Sequence, residues 1–297
     1  MDPIKVALVG GSGNIGPAIL SELLDAGFDV TVLTRQDSDK SFDSRAQVAK
    51  VDYESLDSLK TALTGQDVVV NTLGVGPVPR AIHLRLVDAA SAVGVKRYIP
   101  SEFGSDTVHP PTAQLPVFGD KVAVQDYLRS ASQHSALTYT LLITGPFLDW
   151  GLKAGFLVNL SGPVATLYDN GDRKFSTTTT RGVGQAVVGI INNLEATENT
   201  AVRVHSATVS QRQLLALSGK SLETTSVQTA DLKEEAFAEL GKPSPNHHVA
   251  AIDFLRVAIF GEGYGSLFGG GEVSNSLLGV ETLSEKELRD LVVECTA

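Results

Sequence analysis

The sequence predicts an α/β protein, a doubly wound parallel sheet with a smaller C-terminal α+β lobe, on three observations. Short apolar runs alternate with helix-spaced segments through the first half. The first of these runs stops in a cluster of glycines that leads straight into a helix. The rhythm then changes past Gly145-Pro146. Strands that alternate with helices pair in parallel through crossovers, which selects the doubly wound arrangement.

Each element has its own justification. Ile4 to Val9 is a short unbroken apolar run, as in a strand buried on both faces. Pro17 to Leu24 carries apolar residues at helical spacing, and Gly27 stops it. Phe28 to Leu33 predicts the second strand, and a short strand follows before Asp52. Asp67 to Asn71 and Arg97 to Pro100 predict two more, with helices over 55–63 and 79–93. Val122 to Ser132 reads as a helix and Leu137 to Ile143 as the sixth strand. Further on, short strands at Val164–Tyr168, Thr200–His205 and Thr224–Gln228 mix with helices near 181–194, 210–218, 230–240, 247–259 and 284–294. The glycine-rich stretch 261–271 reads as a mobile loop or lid. The expected division is a nucleotide-binding domain over 1–146, with a return segment at about 175–205. The substrate lobe then comprises 147–174 and 206–297.

Composition narrows the function. With 24 Lys+Arg against 34 Asp+Glu in 297 residues, the formal charge is −10. A surface of that sign repels nucleic acid and anionic lipid, and no basic run offsets it. No apolar stretch approaches the ~20 residues of a membrane span. Cys295 is the single cysteine, so no internal disulfide forms. The strand pattern begins by residue 4, which leaves no room for a leader, and a cytoplasmic monomer or homodimer is expected. His247-His248 has no companion at ligand spacing, so no metal site is expected.

Gly10, Gly11, Ser12, Gly13, Asn14, Ile15 and Gly16 join the first strand to the first helix. Glycine there permits the tight turn, the approach of a pyrophosphate to backbone, and close helix–strand packing. The helix N-terminus adds N–H donors and partial positive charge. The second strand ends Thr34-Arg35, where an acid would favour NAD. A guanidinium pairs with phosphate, so the cofactor indicated is NADP(H), with Lys40 or Arg45 as a second positive charge. On position alone, Arg35 is otherwise a solvated surface residue. Asp52 is placed to meet the adenine amino group.

Carboxyl ends of strands should hold the nicotinamide. They carry Asn71-Thr72-Leu73-Gly74 and Pro100-Ser101-Glu102-Phe103-Gly104-Ser105-Asp106, with Lys121 near the start of the next helix. The Tyr-x-x-x-Lys pair of ordinary short-chain dehydrogenases is missing, since Val117 stands four residues ahead of Lys121, and Tyr127 is followed by Ala131 at the lysine position. Pro146-Phe147 should pass over the nicotinamide. Phe147 and Trp150 are candidates for an aromatic substrate wall, with Phe156, Tyr264 and Phe268 behind them; each is otherwise ordinary core.

Taken together, the glycine loop, Arg35, Arg97-Tyr98-Ile99-Pro100-Ser101-Glu102-Phe103-Gly104 and Val117-Phe118-Gly119-Asp120-Lys121 resemble the isoflavone reductase-like branch of the NmrA-like atypical short-chain dehydrogenases. That branch includes phenylcoumaran benzylic ether reductases, pinoresinol-lariciresinol reductases and eugenol synthases. The resemblance covers about the first 150 residues. It implies a Rossmann domain, NADPH, a conjugated or aromatic secondary-metabolite-like substrate, and Lys121 as catalytic base next to the cofactor, or as a cofactor-binding residue that holds the nicotinamide ribose and relays a proton. Ser101 then touches cofactor or orients substrate, or else caps a turn. The chain departs from the family where basic residues often follow the lysine, having Val124-Gln125-Asp126-Tyr127 there. The competing readings are an NADP-binding redox sensor without turnover and an isomerase or cyclase on the same fold.

Overall fold

The computed structural model describes residues 3–74, 76, 78–269, 271 and 273–296. The chain runs β1 (Lys5–Val9), α1 (Gly16–Asp25), β2 (Asp29–Arg35), β3 (Gln47–Val51), α2 (Leu56–Leu63), β4 (Val68–Asn71), α3 (Arg80–Ala92) and β5 (Arg97–Ile99). It continues through the single turn α4 (Pro110–Ala113), α5 (Gly119–His134), β6 (Thr138–Ile143), the short α6 (Leu148–Lys153), β7 (Val164–Tyr168) and β8 (Phe175–Thr177). Then follow α7 (Thr180–Asn192), β9 (Thr200–Arg203), β10 (Ala207–Val209), α8 (Gln211–Leu217) and β11 (Glu223–Val227). The chain closes with α9 (Thr229–Leu240), α10 (His247–Phe260), α11 (Asn275–Leu278) and α12 (Glu285–Thr296).

One sheet of seven strands organises the molecule, in the order β3-β2-β1-β4-β5-β6-β9, with every neighbouring pair parallel. Helices cover both of its faces, which is why β1 and β4 are apolar without alternation: Val6 to Val9 and Val68 to Val70 are fully buried. On one face, Ile19 and Leu23 of α1 and Val183, Val187 and Ile190 of α7 pack on Val6, Leu8, Val30 and Val32. On the other, Leu59, Leu86, Val87, Val124 and Leu128 from α2, α3 and α5 pack on Ala7, Val9, Leu33 and Val69. A third apolar cluster lies beyond β6, where Tyr168 stacks on Phe260 and Phe175 meets the same ring edge-on. Two small sheets, β7 with β11 and β8 with β10, frame it.

Strand order reverses between β1 and β4, so their carboxyl ends diverge and open a crevice. A buried guanidinium stiffens the sheet beside it. Arg97 is 2% exposed and donates to Thr138 and Thr140 on β6, and to Thr197 and the Leu194 carbonyl beyond α7. Neutral acceptors satisfy the charge that burial strips of water.

The stretch expected to be a lid is instead tied down. The Tyr264 carbonyl accepts the Thr112 hydroxyl, the Ser266 carbonyl accepts the Ser176 N–H, and the Phe268 N–H donates to the Ser176 hydroxyl. Gly270, part of that expectation, lies outside the described residues. β8, β10 and α6, short and outside the regular strand–helix alternation that marks β1, β4 and β5, escape a sequence reading. Among the described residues, no helix is long and apolar enough to cross a membrane.

Candidate active site

The crevice divides into a half built of backbone and a half built of side chains. In the first, Gly10, Gly11 and Ser12 face Leu33, Thr34, Arg35, Lys40, Phe42, Tyr53 and Leu73 around about 360 Å³. Gly10 sits at φ +84°, and a Cβ on it would stand 2.7 Å from the Thr72 hydroxyl. Gly16 is the packing glycine: a Cβ there would lie 2.5 Å from the Gly10 carbonyl oxygen. Both therefore admit the loop only without a side chain. Helix α1 starts with no side-chain cap and no acid in its first turn, so its N–H groups and dipole remain available to an anion.

Arg35 is 76% exposed at the rim, with only a loose 3.7 Å contact to Asp37. Lys40 lines the same cleft. Arg45 does not: it is committed to Asp43 at 2.9 Å and to Asp25 at 2.7 Å, which corrects the expectation that it adds charge to the cleft. Asp52 is also displaced from its expected place. Its carboxylate accepts the Glu54 N–H at 2.9 Å to shape the turn after β3, and the neighbouring Tyr53 lines the cleft instead. The Tyr53 hydroxyl donates to the Leu33 carbonyl at 3.0 Å, and burial pushes its pKa up.

The second half holds about 440 Å³ and gathers residues from widely separated segments. Gly13, Asn14 and Ile15 form its border with the glycine loop. Thr72 and Gly74 come from the end of β4, where the buried Asn71 turns the chain. Its amide donates to Tyr98 and His83, each at 3.1 Å, and its oxygen accepts the Leu73 N–H. Ser101, Phe103, Gly104 and Ser105 follow β5. Lys121 enters from the first turn of α5, with Val117 and Phe118 just before it. Pro146, Phe147 and Trp150 come from the start of α6 and Phe156 from just beyond it.

Helix α6 is placed firmly. The Asp149 carboxylate accepts both the N–H and the hydroxyl of Thr180 at the start of α7, at 3.0 and 2.5 Å. The Leu148 N–H donates to the Thr178 carbonyl. Trp150 and Phe156 meet at 6.3 Å between centroids, tilted by 51°, and make one wall. Lys121 is half-buried, and its amine donates to the Glu102 carbonyl. Removal from water pushes the amine below the ordinary lysine range, opposed by the Glu102 carboxylate. A lysine so placed can take a proton near neutral pH more readily than an exposed one.

Two expected wall residues lie elsewhere. Tyr264 packs over Gly261 with the Lys233 amine 5.6 Å from its ring centre, and Phe268 is buried beside Ser176. The tied-down glycine-rich stretch carries both rings away from the crevice. Leu255 and Ile259 of α10 take that side instead. Their spacing of four on an expected helix was the available signal, but nothing in the sequence says which way α10 faces. Tyr53 stands beside a residue that the sequence does single out, and Ser105 falls in the segment after β5 that the sequence places at the chemistry end.

The sequence pattern of the NmrA-like family matches residues 3–271. Oxidoreductase aprR of Aspergillus flavus is 35% identical over 268 residues, which cover 88% of this chain and 89% of that one. Oxidoreductase poxI of Penicillium oxalicum is 32% identical over 223 residues, 72% of this chain and 68% of its own. Phenylcoumaran benzylic ether reductase PT1 of Pinus taeda is 26% identical over 81% of this chain and 82% of its own. Among solved structures, AtPrR2 with NADP+ and (+)pinoresinol shares the fold at a TM-score of 0.81 and 23% identity, with 99% of each chain covered. On the extent of the family match, the chain belongs to the NmrA-like family.

Proposed function

We propose that this protein is an oxidoreductase, an NADPH-dependent reductase of a small aromatic or conjugated molecule, with Lys121 as base or proton relay. The observation that carries this reading is the position of the Lys121 amine. Lys121 lines a cavity together with Gly13, Asn14 and Ile15 of the glycine loop and with Phe147, Trp150 and Phe156. Relatives named as oxidoreductases at 35% and 32% identity support the reaction class. The name of the pine relative points to an aromatic ether, which supports the substrate class.

The residues present suit the cofactor. The glycine cradle and uncapped α1 fit a pyrophosphate, and Arg35 with Lys40 fits a ribose 2′-phosphate. Thr34, Leu73, Thr72, Gly74, Ser101, Phe103, Pro146 and Phe147 line the path between them and the amine. Bound NADPH supplies the hydride. The chain's own part is to hold the substrate ring between Trp150, Phe156, Leu255 and Ile259, and to exclude water from that contact. Lys121 accepts the proton of a substrate hydroxyl conjugated with the reacting carbon, or relays one to the reduced product. Among the described lining residues of this half, Lys121 is the only ionisable one, so the pocket suits a neutral or phenolic ring over a phosphorylated one. We assign residues 147–174 and 206–297 to the substrate lobe and place the protein in the cytoplasm, which suits its one buried thiol.

The test is a panel of conjugated phenols, enones and imines with NADPH, followed at the reduced-nicotinamide absorbance band. Turnover that Lys121→Ala abolishes while NADPH binding persists is the expected result. Tight binding of NADPH with no turnover across the panel favours the sensor instead.

A further inference from the structure

We propose that Glu102 is the positioning residue for Lys121: its main-chain oxygen holds the amine in the cavity, and its buried carboxylate is the amine's fixed counter-charge. The inference rests on the reading of Lys121 as the proton-handling group.

Glu102 is 1% exposed and absent from the cavity lining, so it touches neither of the molecules that would bind there. Its carbonyl accepts the Lys121 amine. Its carboxylate accepts the Thr107 hydroxyl at 2.5 Å. The Thr107 oxygen in turn accepts the Gln125 amide N–H at 2.8 Å, and the Gln125 oxygen accepts from the Arg129 guanidinium at 3.3 Å. Thr107 and Gln125 are each 2% exposed. Every donor in this line points toward Glu102, from a surface cation inward. Hydrogen bonds aligned this way polarise one another and hold the accepting carboxylate in place.

The line also closes on itself. Gln125 lies four residues after Lys121, on the same face of α5, so that face is fastened twice to the loop after β5. One fastening is the lysine on the Glu102 carbonyl, and the other is the glutamine reaching the Glu102 carboxylate through Thr107. The next residue, Phe103, has φ +20° and lines the cavity, so the loop that holds the lysine also borders the substrate space.

Other charges near α5 have partners of their own. Asp120 pairs with Arg80 of α3 at 3.2 Å, and Asp106 in the loop pairs with Arg203 of β9 at 2.8 Å. On α10, Asp253 pairs with Arg256. His83 of α3 is buried, its Nδ1 accepts from Asn71, and burial holds its pKa down. That leaves the Glu102 carboxylate as the charge set to act on the lysine.

The experiment is competitive labelling of the full chain with trace acetic anhydride across pH, reading acetylation of the Lys121 peptide by mass spectrometry. In the wild type the midpoint falls below the ordinary lysine range. Glu102→Gln keeps shape and an acceptor for Thr107 but removes the charge, so the midpoint falls further, by about one pH unit. Glu102→Asp restores most of it. Gln125→Leu frees Thr107 to turn away and lowers the midpoint by a smaller amount, which carries the test if Glu102→Gln does not fold. An unmoved midpoint in a folded Glu102→Gln, or in Gln125→Leu where that variant stands in for it, overturns the proposal. Because labelling needs no turnover, the two readings fail separately. A midpoint that moves while the acid limb of kcat/KM stays fixed leaves Glu102 as assigned and removes Lys121 from the chemistry.

Discussion

The two halves of the crevice are built by different means. The nucleotide half uses main chain: a tight loop, bare N–H groups and a position, Gly16, where a Cβ would meet backbone at 2.5 Å. The half that holds Lys121 uses side chains that converge from the ends of β4 and β5, the start of α5, the region of α6, and α10. Backbone recognition is written in consecutive residues and suits any dinucleotide. Side-chain recognition depends on how distant segments pack, and there substrate choice can diverge while the cofactor loop stays as it is.

Several substitutions sharpen that contrast. The largest effect belongs to Gly16→Val, whose branched side chain meets the Gly10 and Gly11 backbone within 2.6 Å. It should weaken NADPH binding by more than about a hundredfold, read by cofactor fluorescence, because that loop cannot yield without losing its shape. Next is Arg35→Asp, which should shift the NADPH-to-NADH preference in kcat/KM by about ten- to a hundredfold, the worth of a charge-assisted phosphate contact. An unchanged ratio would remove Arg35 from the phosphate site. In the other half, Trp150→Ala should raise KM for the aromatic substrate about fivefold and leave NADPH affinity unaltered, since a ring contact contributes about 1 kcal/mol. Arg45→Ala should leave cofactor preference unchanged, because its pairs with Asp25 and Asp43 lie outside the cleft.

The same contrast explains what the sequence could reveal. Strands and helices of the sheet are legible because two-sided burial leaves long apolar runs, as in Val6–Val9, and helical periods, as in α1. Glycine spacing singles out the loop after β1, and the end of the strand that follows singles out Arg35; both line one cleft. Lys121 is visible only through resemblance, since a lysine in a first helical turn has no local sign of chemistry. The lobe is the least legible part. Tyr264 and Phe268 are conspicuous aromatics in a glycine-rich stretch, yet Ser176 and Thr112 fasten that stretch away from the crevice. Leu255 and Ile259, ordinary apolar residues, line the pocket instead. Asp52 stands off the cleft lining for a shorter-range reason: its carboxylate accepts the Glu54 N–H in a turn, and the next side chain, Tyr53, lines the cleft.

The central claim is that the amine at 121 handles the substrate proton beside the cofactor. Its most direct test is the pH dependence of kcat/KM for the wild type and Lys121→Met, with NADPH affinity measured alongside. Removal from water lowers the amine's pKa, and a base works in its unprotonated form. The wild-type rate should therefore rise with pH and level off at a midpoint below the ordinary lysine range. Lys121→Met should bind NADPH normally, lose that limb, and turn over about a thousandfold more slowly, as expected for removal of a general base. A variant that keeps both the rate and the limb would contradict the account.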